Sequence, residues 1–173
     1  LDGLTLDGHG VTSFGVDVDS IHTRLSALVV RDTSSHGIRL RSANSSGAPS
    51  IDVVGSRVTA CGGEGLSALG TFDLEISGSR FSANRHEGVS LDPLVAPNGG
   101  PASLRVQDSA FFGNGDDGLD CQLGAPPVAG GSSSYSVHIE GSSFDENAFE
   151  AFRDAFRGKG IERIDLRNMG PGQ

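Results

Sequence analysis

Residues 104–121 read LRVQDSAFFGNGDDGLDC. Leu104 and Val106 alternate with polar neighbours, the period of a strand. Ser109, Phe111 and Asn114 follow at short spacing, then Gly118, then a second alternating pair, Leu119 and Cys121. Alone, the stretch does not decide between a strand pair and a loop-rich site. The rest of the chain decides, because it repeats the pattern. TRLSALVVRDTSSHGIRL (23–40), IDVVGSRVTACGGEGLSA (51–68) and LEISGSRFSANRHEGVSL (74–91) align with it without gaps, as does the incomplete VHIEGSSFDEN (137–147). LDGLTLDGHGVTSFGVDV (1–18) fits as a degenerate first copy.

The columns carry the physics. Ile51/Val53, Leu74/Ile76, Leu104/Val106 and Val137/Ile139 form a first alternating pair. A serine column (Ser56, Ser79, Ser109, Ser142) precedes an apolar one (Val30, Val58, Phe81, Phe111, Phe144). Next stands a small polar column: Thr33, Cys61, Asn84, Asn114, Asn147. Four residues on, glycine is unbroken at 15, 37, 65, 88 and 118, marking a turn that needs positive φ or close backbone approach. Each unit therefore reads as three short strands separated by turns. Copies begin at residues 1, 23, 51, 74, 104 and 137, hence spacings of 22, 28, 23, 30 and 33. Such a unit cannot bury its own apolar face, but stacked units can, at a strand spacing of about 4.8 Å. Stacked Phe should fill the interior, and stacked Ser and Asn should satisfy each other's hydrogen bonds.

The repeat, apolar-x-apolar-x-x-Ser-x-Phe-x-x-Asn-x-x-x-Gly-apolar-x-Leu, resembles that of right-handed parallel β-helix proteins, the pectate-lyase-like group. The resemblance covers residues 1–147 and implies an all-β solenoid of about six rungs. Leucine-rich repeats would need a Leu-x-x-Leu-x-Leu signature and a helical stretch, which these units lack. The architecture hosts lyases, hydrolases, epimerases, phage spikes and adhesins, so it does not by itself fix a function. Residues 148–173 break the pattern. Phe149, Phe152 and Phe156 fall at helical spacing, Asn147 can cap the start, and Gly158 or Gly160 the end. The reading is a C-terminal helical cap plugging the last rung, then a strand at IERIDL (161–166), all within a single domain spanning 1–173.

Insertions at 41–50, 92–103 and 122–136, rich in Gly, Pro and Ser, all follow the strand after the glycine and so share one edge. The resemblance implies that this strand borders a substrate groove. Alternation places Asp17, Arg39, Ser67, Ser90 and Asp120 on its outer face, with Arg41 and Asp92 in the next outward column. His36, Glu64, Glu87 and Asp117 stand just before the glycine, and His86 and Asp116 one residue earlier.

Four chemistries fit these residues. Asp116, Asp117 and Asp120 point to a cation site, for which Ca²⁺ is the expected ion because hard cations take several oxygens. The segment DDGLD also resembles the calcium element of one pectate-lyase family, although the lysine base of that family is missing; Lys159, the only lysine, lies near the C-terminus. Acids beside a turn glycine are equally ordinary turn chemistry. Glycosidic hydrolysis by paired carboxylates is a second reading. Gly8-His9-Gly10 echoes polygalacturonases, but in the reverse order relative to its aspartates and without their Arg-x-Lys partner. β-Elimination or epimerisation of a uronic acid is a third. Arg39 and Arg41 would neutralise the sugar carboxylate, and His36, His86 or Glu87 would serve as base or acid. The fourth is a non-catalytic structural or adhesion scaffold within a longer chain.

Bulk properties narrow the partners. A net charge of −9 argues against nucleic acid, which requires clustered Lys and Arg. No apolar run reaches the ~18 residues of a membrane span. Gly, 26 of 173 residues, is about twice its usual share of ~7%, consistent with many tight turns. Cys61 and Cys121 sit in different columns two rungs apart and read as buried free thiols. The chain starts directly in a rung, so end-to-end self-association or continuation into upstream rungs is expected there. The expected ligand is a polysaccharide or surface glycan, met outside the cell, in a periplasm or at the cell surface.

Overall fold

A computed structural model describes residues 1–19, 22–41, 49–70, 72–92, 102–121, 135–148, 152–154 and 161–167. Every element among them is a strand. The first sheet comprises β1 (Thr5–Asp7), β4 (Val29–Arg31), β7 (Arg57–Thr59), β10 (Arg80–Ser82), β13 (Ala110–Phe112) and β16 (Ser143–Asp145). The second holds β2 (Val16–Val18), β5 (Ile38–Arg41), β8 (Leu66–Leu69), β11 (Val89–Asp92), β14 (Leu119–Cys121) and β17 (Phe152–Asp154). The third holds β3 (His22–Ser26), β6 (Ser50–Val54), β9 (Asp73–Ser77), β12 (Ala102–Gln107), β15 (Tyr135–Glu140) and β18 (Ile161–Arg167). All pairings are parallel, and each strand's neighbours are three places away in the chain. The chain thus visits three sheets in turn, an order compatible with a parallel β-helix.

The predicted columns are the observed registers. Val30, Val58, Phe81, Phe111 and Phe144 stand opposite one another. The phenyl rings stack with centroids 5.5 Å apart for Phe81–Phe111 and 4.6 Å for Phe111–Phe144. These rings belong to one buried apolar cluster running from Val16 to Phe144. A buried Phe contributes about 1.5–3 kcal/mol over an exposed one.

The polar columns are satisfied within the interior. Asn84 donates to the Asn114 carbonyl oxygen at 3.0 Å, and Asn114 to that of Asn147 at 2.8 Å. The serines work differently from expectation. Each hydroxyl donates to its own chain two residues back, as Ser109 does to Gln107 O at 2.8 Å. Its oxygen accepts the backbone N–H of the preceding rung's serine, as from Ser79 N at 3.1 Å. Side chains thereby replace a ladder that the backbone cannot complete at the turns.

The glycine column is a matter of space. None of Gly15, Gly37, Gly65, Gly88 or Gly118 has positive φ. A Cβ on Gly88 would lie 2.5 Å from the Gly118 carbonyl oxygen and 2.8 Å from Asn114 Nδ2. The left-handed residues sit elsewhere: Asp32, Ala60, Ala83, Gly113 and Glu146 open the turn after the first sheet. Ala27, Gly55, Gly78, Asp108 and Gly141 make the other turn.

Two expectations need correction. In the first copy the gapless alignment holds for Val16 opposite Ile38, but Leu6 faces Val30 rather than Gly8 doing so. Two extra residues therefore occupy the turn of residues 8–15, where Val11 N bonds Gly8 O at 2.9 Å. The C-terminal helical cap is overturned at its centre. Phe152–Asp154 is strand β17, with Phe152 opposite Leu119. An open edge of the second sheet offers backbone partners to this segment, and tertiary pairing overrides its helical period. Phe149 and Phe156 lie outside the described residues. The terminal strand is present as β18, where Ile164 and Leu166 extend the column of Val137 and Ile139.

Candidate functional site: a histidine and carboxylate corner

The turn from the first sheet to the second ends in the tightly packed glycine. Lacking room for a side chain there, the backbone stacks closely, and the residue before each glycine is set above its counterpart on the next rung. His36, Glu64, Glu87 and Asp117 are brought together this way as consecutive steps.

At the low-numbered end the groups neutralise one another. Arg39 donates to Asp17 through Nε at 3.2 Å and Nη2 at 2.5 Å, and Arg41 adds bonds of 3.3 and 3.2 Å. The Arg39 guanidinium also lies 3.6 Å over the Phe14 ring, which stacks on His36 at 5.6 Å. His36 in turn pairs with Glu64. The hydrogen bond from Arg39 holds the Asp17 carboxyl below its usual range and keeps Arg39 firmly protonated. Burial would raise the Glu64 carboxyl, but the His36 hydrogen bond, its own backbone N–H and the nearby charge of His86 together hold it low. Arg39 and Arg41 are therefore engaged, and so is His36.

The next rungs have the opposite balance. Glu87 is pushed up, first by burial and then by the charges of Glu64, Asp116 and Asp120. His86, Glu87 and Asp116 offer ligand atoms all within 4.8 Å of one another. His86 is exposed, whereas Glu87 and Asp116 are half-buried. The three aspartates of DDGLD thus part company. Asp116 joins the corner, while Asp117 and Asp120 are buried, at 0% and 1% exposure. Ser67 and Ser90 stand in register between Arg39 and Asp120. Asp92 ends β11, opposite Leu69. The insertions lie between the second and third sheets, largely outside the described residues.

The trio of His86, Glu87 and Asp116 supports two kinds of chemistry. One nitrogen and two carboxylates can ligate a divalent cation, and that would remove the repulsion on Glu87. Alternatively, Glu87 keeps its proton to higher pH than an ordinary carboxyl, as a general acid does. Its closeness to Asp116 leaves no space for the water that an inverting pair of carboxyls spans at about 6.5–9.5 Å.

Sequence reasoning missed two features. Register sets Arg153 of β17 beside Asp120, a relation hidden by the helical spacing of the flanking Phe residues. The outer face of the third sheet also carries Arg24, Asp52, Glu75, Arg105 and His138 as one continuous column. The alternation that revealed the inward residues there already defined that face. Arg24 and Asp52 approach to 3.8 Å.

A recess of about 640 Å³ opens where the first sheet turns away, lined by His9, Asp32, Ser34, Cys61 and Arg85. Burial pushes the Cys61 thiol up, which makes it an inert packing group rather than a nucleophile. Both cysteines are buried and neither is in a disulfide. Among the described residues no helix is long and apolar enough to cross a membrane. No protein-family model matches the chain, and neither a curated protein nor a solved structure matches it.

Proposed function

We propose that the chain is a right-handed parallel β-helix module that binds an extracellular polysaccharide across the outer face of the second sheet, bordered by the insertions at one end of its strands and by a divalent cation held at the His86 corner at the other. The observation that carries this reading is the convergence of His86, Glu87 and Asp116 from adjacent rungs. Ca²⁺ would be taken by the carboxylate oxygens; the imidazole also admits Mn²⁺ or Zn²⁺. A bound cation would bridge to sugar hydroxyls or carboxylates across an otherwise repulsive acidic corner. Lyase or epimerase chemistry finds less support than binding, because Asp17 engages the arginines meant to neutralise a uronate. The alternative, a non-catalytic scaffold, is favoured by the regular Ser and Asn ladders.

Calorimetric titration tests the reading. Ca²⁺ or Mn²⁺ should bind the wild type and raise its melting temperature, by about 2.7 kcal/mol of stability at a hundredfold excess over Kd. The double variant Glu87→Gln with Asp116→Asn should lose this response. Polygalacturonate should then be retained by the loaded wild type and released in part by EDTA. If none of these cations binds and retention ignores EDTA, the corner is not the recognition site. An unsaturated uronate product, followed by ultraviolet absorbance, would turn the binding module into a lyase.

A further inference from the structure

The first sheet carries an unusual pair on its outer face. Arg57 and Arg80 stand opposite each other on adjacent rungs, both exposed. Their column continues into Val29 on one side and Ala110 on the other, so no acid stands in register with either. Elsewhere on the surface, Arg24 meets Asp52, Arg31 meets Asp7, and Arg39 and Arg41 meet Asp17, while Arg105 at least stands in register with an acid, Glu75. Among the described residues no ion pair includes Arg57, Arg80 or Arg85.

Like charges directly opposite on neighbouring strands destabilise a sheet. A chain with 22 acids and 13 bases had ample means to place a carboxylate there. One of the two arginines is also held in place. The Arg80 guanidinium lies 5.4 Å from the centre of the Phe112 ring, and Nε donates to Ser82 Oγ at 3.4 Å. A side chain already ordered loses less freedom on binding. Beyond the ends of β7 and β10 the chain turns at Ala60 and Ala83 into the 640 Å³ recess, where Arg85 supplies a third exposed cation. That volume lies within the range of small-ligand sites, about 300–1,000 Å³.

We propose that Arg57 and Arg80, extended by Arg85 at the recess, form an anion subsite that takes the carboxylate or sulfate groups of an acidic polysaccharide. A guanidinium fork matches either anion in a two-pronged hydrogen-bonded geometry. Two forks one rung apart would grip substituents along one strand of polymer. The inference takes from the proposed function only that the ligand is a polysaccharide; it concerns a different face and needs no metal.

The test uses the full chain with EDTA present, which silences the corner. Polygalacturonate supplies carboxylates, dextran sulfate supplies sulfates, and neutral dextran supplies neither. The wild type should bind one or both polyanions at low salt and release them as salt rises, while ignoring neutral dextran. Arg57→Gln with Arg80→Gln should weaken that binding by roughly tenfold or more. Arg24→Gln, on the third sheet, should leave it nearly unchanged and serves as a control for loss of positive charge elsewhere on the surface, while a melting temperature no lower than that of the wild type shows that the double variant is folded. Whichever polymer responds names the anion. Equal binding by the double variant, or equal loss in Arg24→Gln, would overturn the subsite while leaving the metal-dependent reading intact. Sucrose octasulfate separates the two in the other direction. If it binds the wild type and not the double variant, while no polymer binds with or without cation, the anion site stands as a small-molecule site and the polysaccharide reading falls.

Discussion

Glu87 concentrates the chemistry of the molecule in one side chain. Burial and three neighbouring carboxylates, Glu64, Asp116 and Asp120, all disfavour its charge. Its carboxyl is raised, so ionisation costs the folded state more than the unfolded one. Removing the charge should therefore stabilise. Glu87→Gln in EDTA at pH 7 should raise the melting temperature, with a gain of no more than about 1 kcal/mol once solvent screening is allowed for. The gain is complete above the folded pKa and fades as pH falls toward the unfolded value of about 4.3. With a saturating divalent cation the order should invert, the wild type becoming the more stable. A variant that melts below wild type in EDTA at pH 7 would show that Glu87 is held by favourable contacts rather than crowded by like charge. The sequence made part of this legible. It set Glu87, His86 and Asp116 at one edge, because the glycine column fixed their rung and position. It did not separate half-buried Asp116 from Asp117 and Asp120, because burial of the latter two depends on how far the turn folds inward, and alternation carries no such information.

The elements show why the strands were readable and their ends were not. Alternating Leu, Ile and Val positions, with Phe, Ser and Asn in fixed offset, report the same face in every copy, so register followed directly. The first copy slipped because a turn can absorb two residues without disturbing the strand after it. Phe149, Phe152 and Phe156 misled because spacing of three and four also lets a single Phe enter a strand column, as Phe152 does opposite Leu119. Turn glycines divide into two physical kinds, and substitution should separate them. At Gly88 a methyl group meets the Gly118 carbonyl at 2.5 Å and the buried Asn114 amide, so backbone must move. At Gly113, φ is +61° but nothing lies within 4 Å, and Ala60 and Ala83 already adopt that conformation in the same column. Gly88→Ala should cost several kcal/mol, at or above the usual 1–3 kcal/mol of overpacking. Gly113→Ala should cost about 1–2 kcal/mol at most. Urea melts of the two variants compare them directly, and equal costs would mean that the close approach at Gly88 relaxes freely.

On the scale of the whole molecule, charge sets the response to acid. The chain carries −9 at neutral pH, and four of its carboxyls are shifted, three in one direction and one in the other. Asp7, Asp17 and Glu64 have carboxyls lowered in the folded state: Asp7 chiefly by the His9 backbone N–H, Asp17 by Arg39, and Glu64 by His36 and neighbouring donors against the pull of burial. Their contribution is complete above the unfolded values, about 3.9 for Asp and 4.3 for Glu, and is lost as pH falls through the lower folded values. Glu87 behaves oppositely, since its raised carboxyl destabilises at neutral pH and ceases to do so once protonated. Mild acidification therefore relieves Glu87 and trims the overall self-repulsion before it touches the three lowered groups. Stability should peak on the acidic side of neutrality, near pH 5, and collapse only below about pH 4. Scanning calorimetry from pH 3 to 8 in EDTA measures this. Salt at neutral pH should reproduce part of the gain by screening the repulsion, and Glu87→Gln should flatten the curve between pH 5 and 7. A melting temperature that instead climbs steadily from pH 5 to 8 would mean that attraction outweighs repulsion in the carboxylate ladder. The His86 corner would then hold its acids by contacts within the protein and would gain little from a cation.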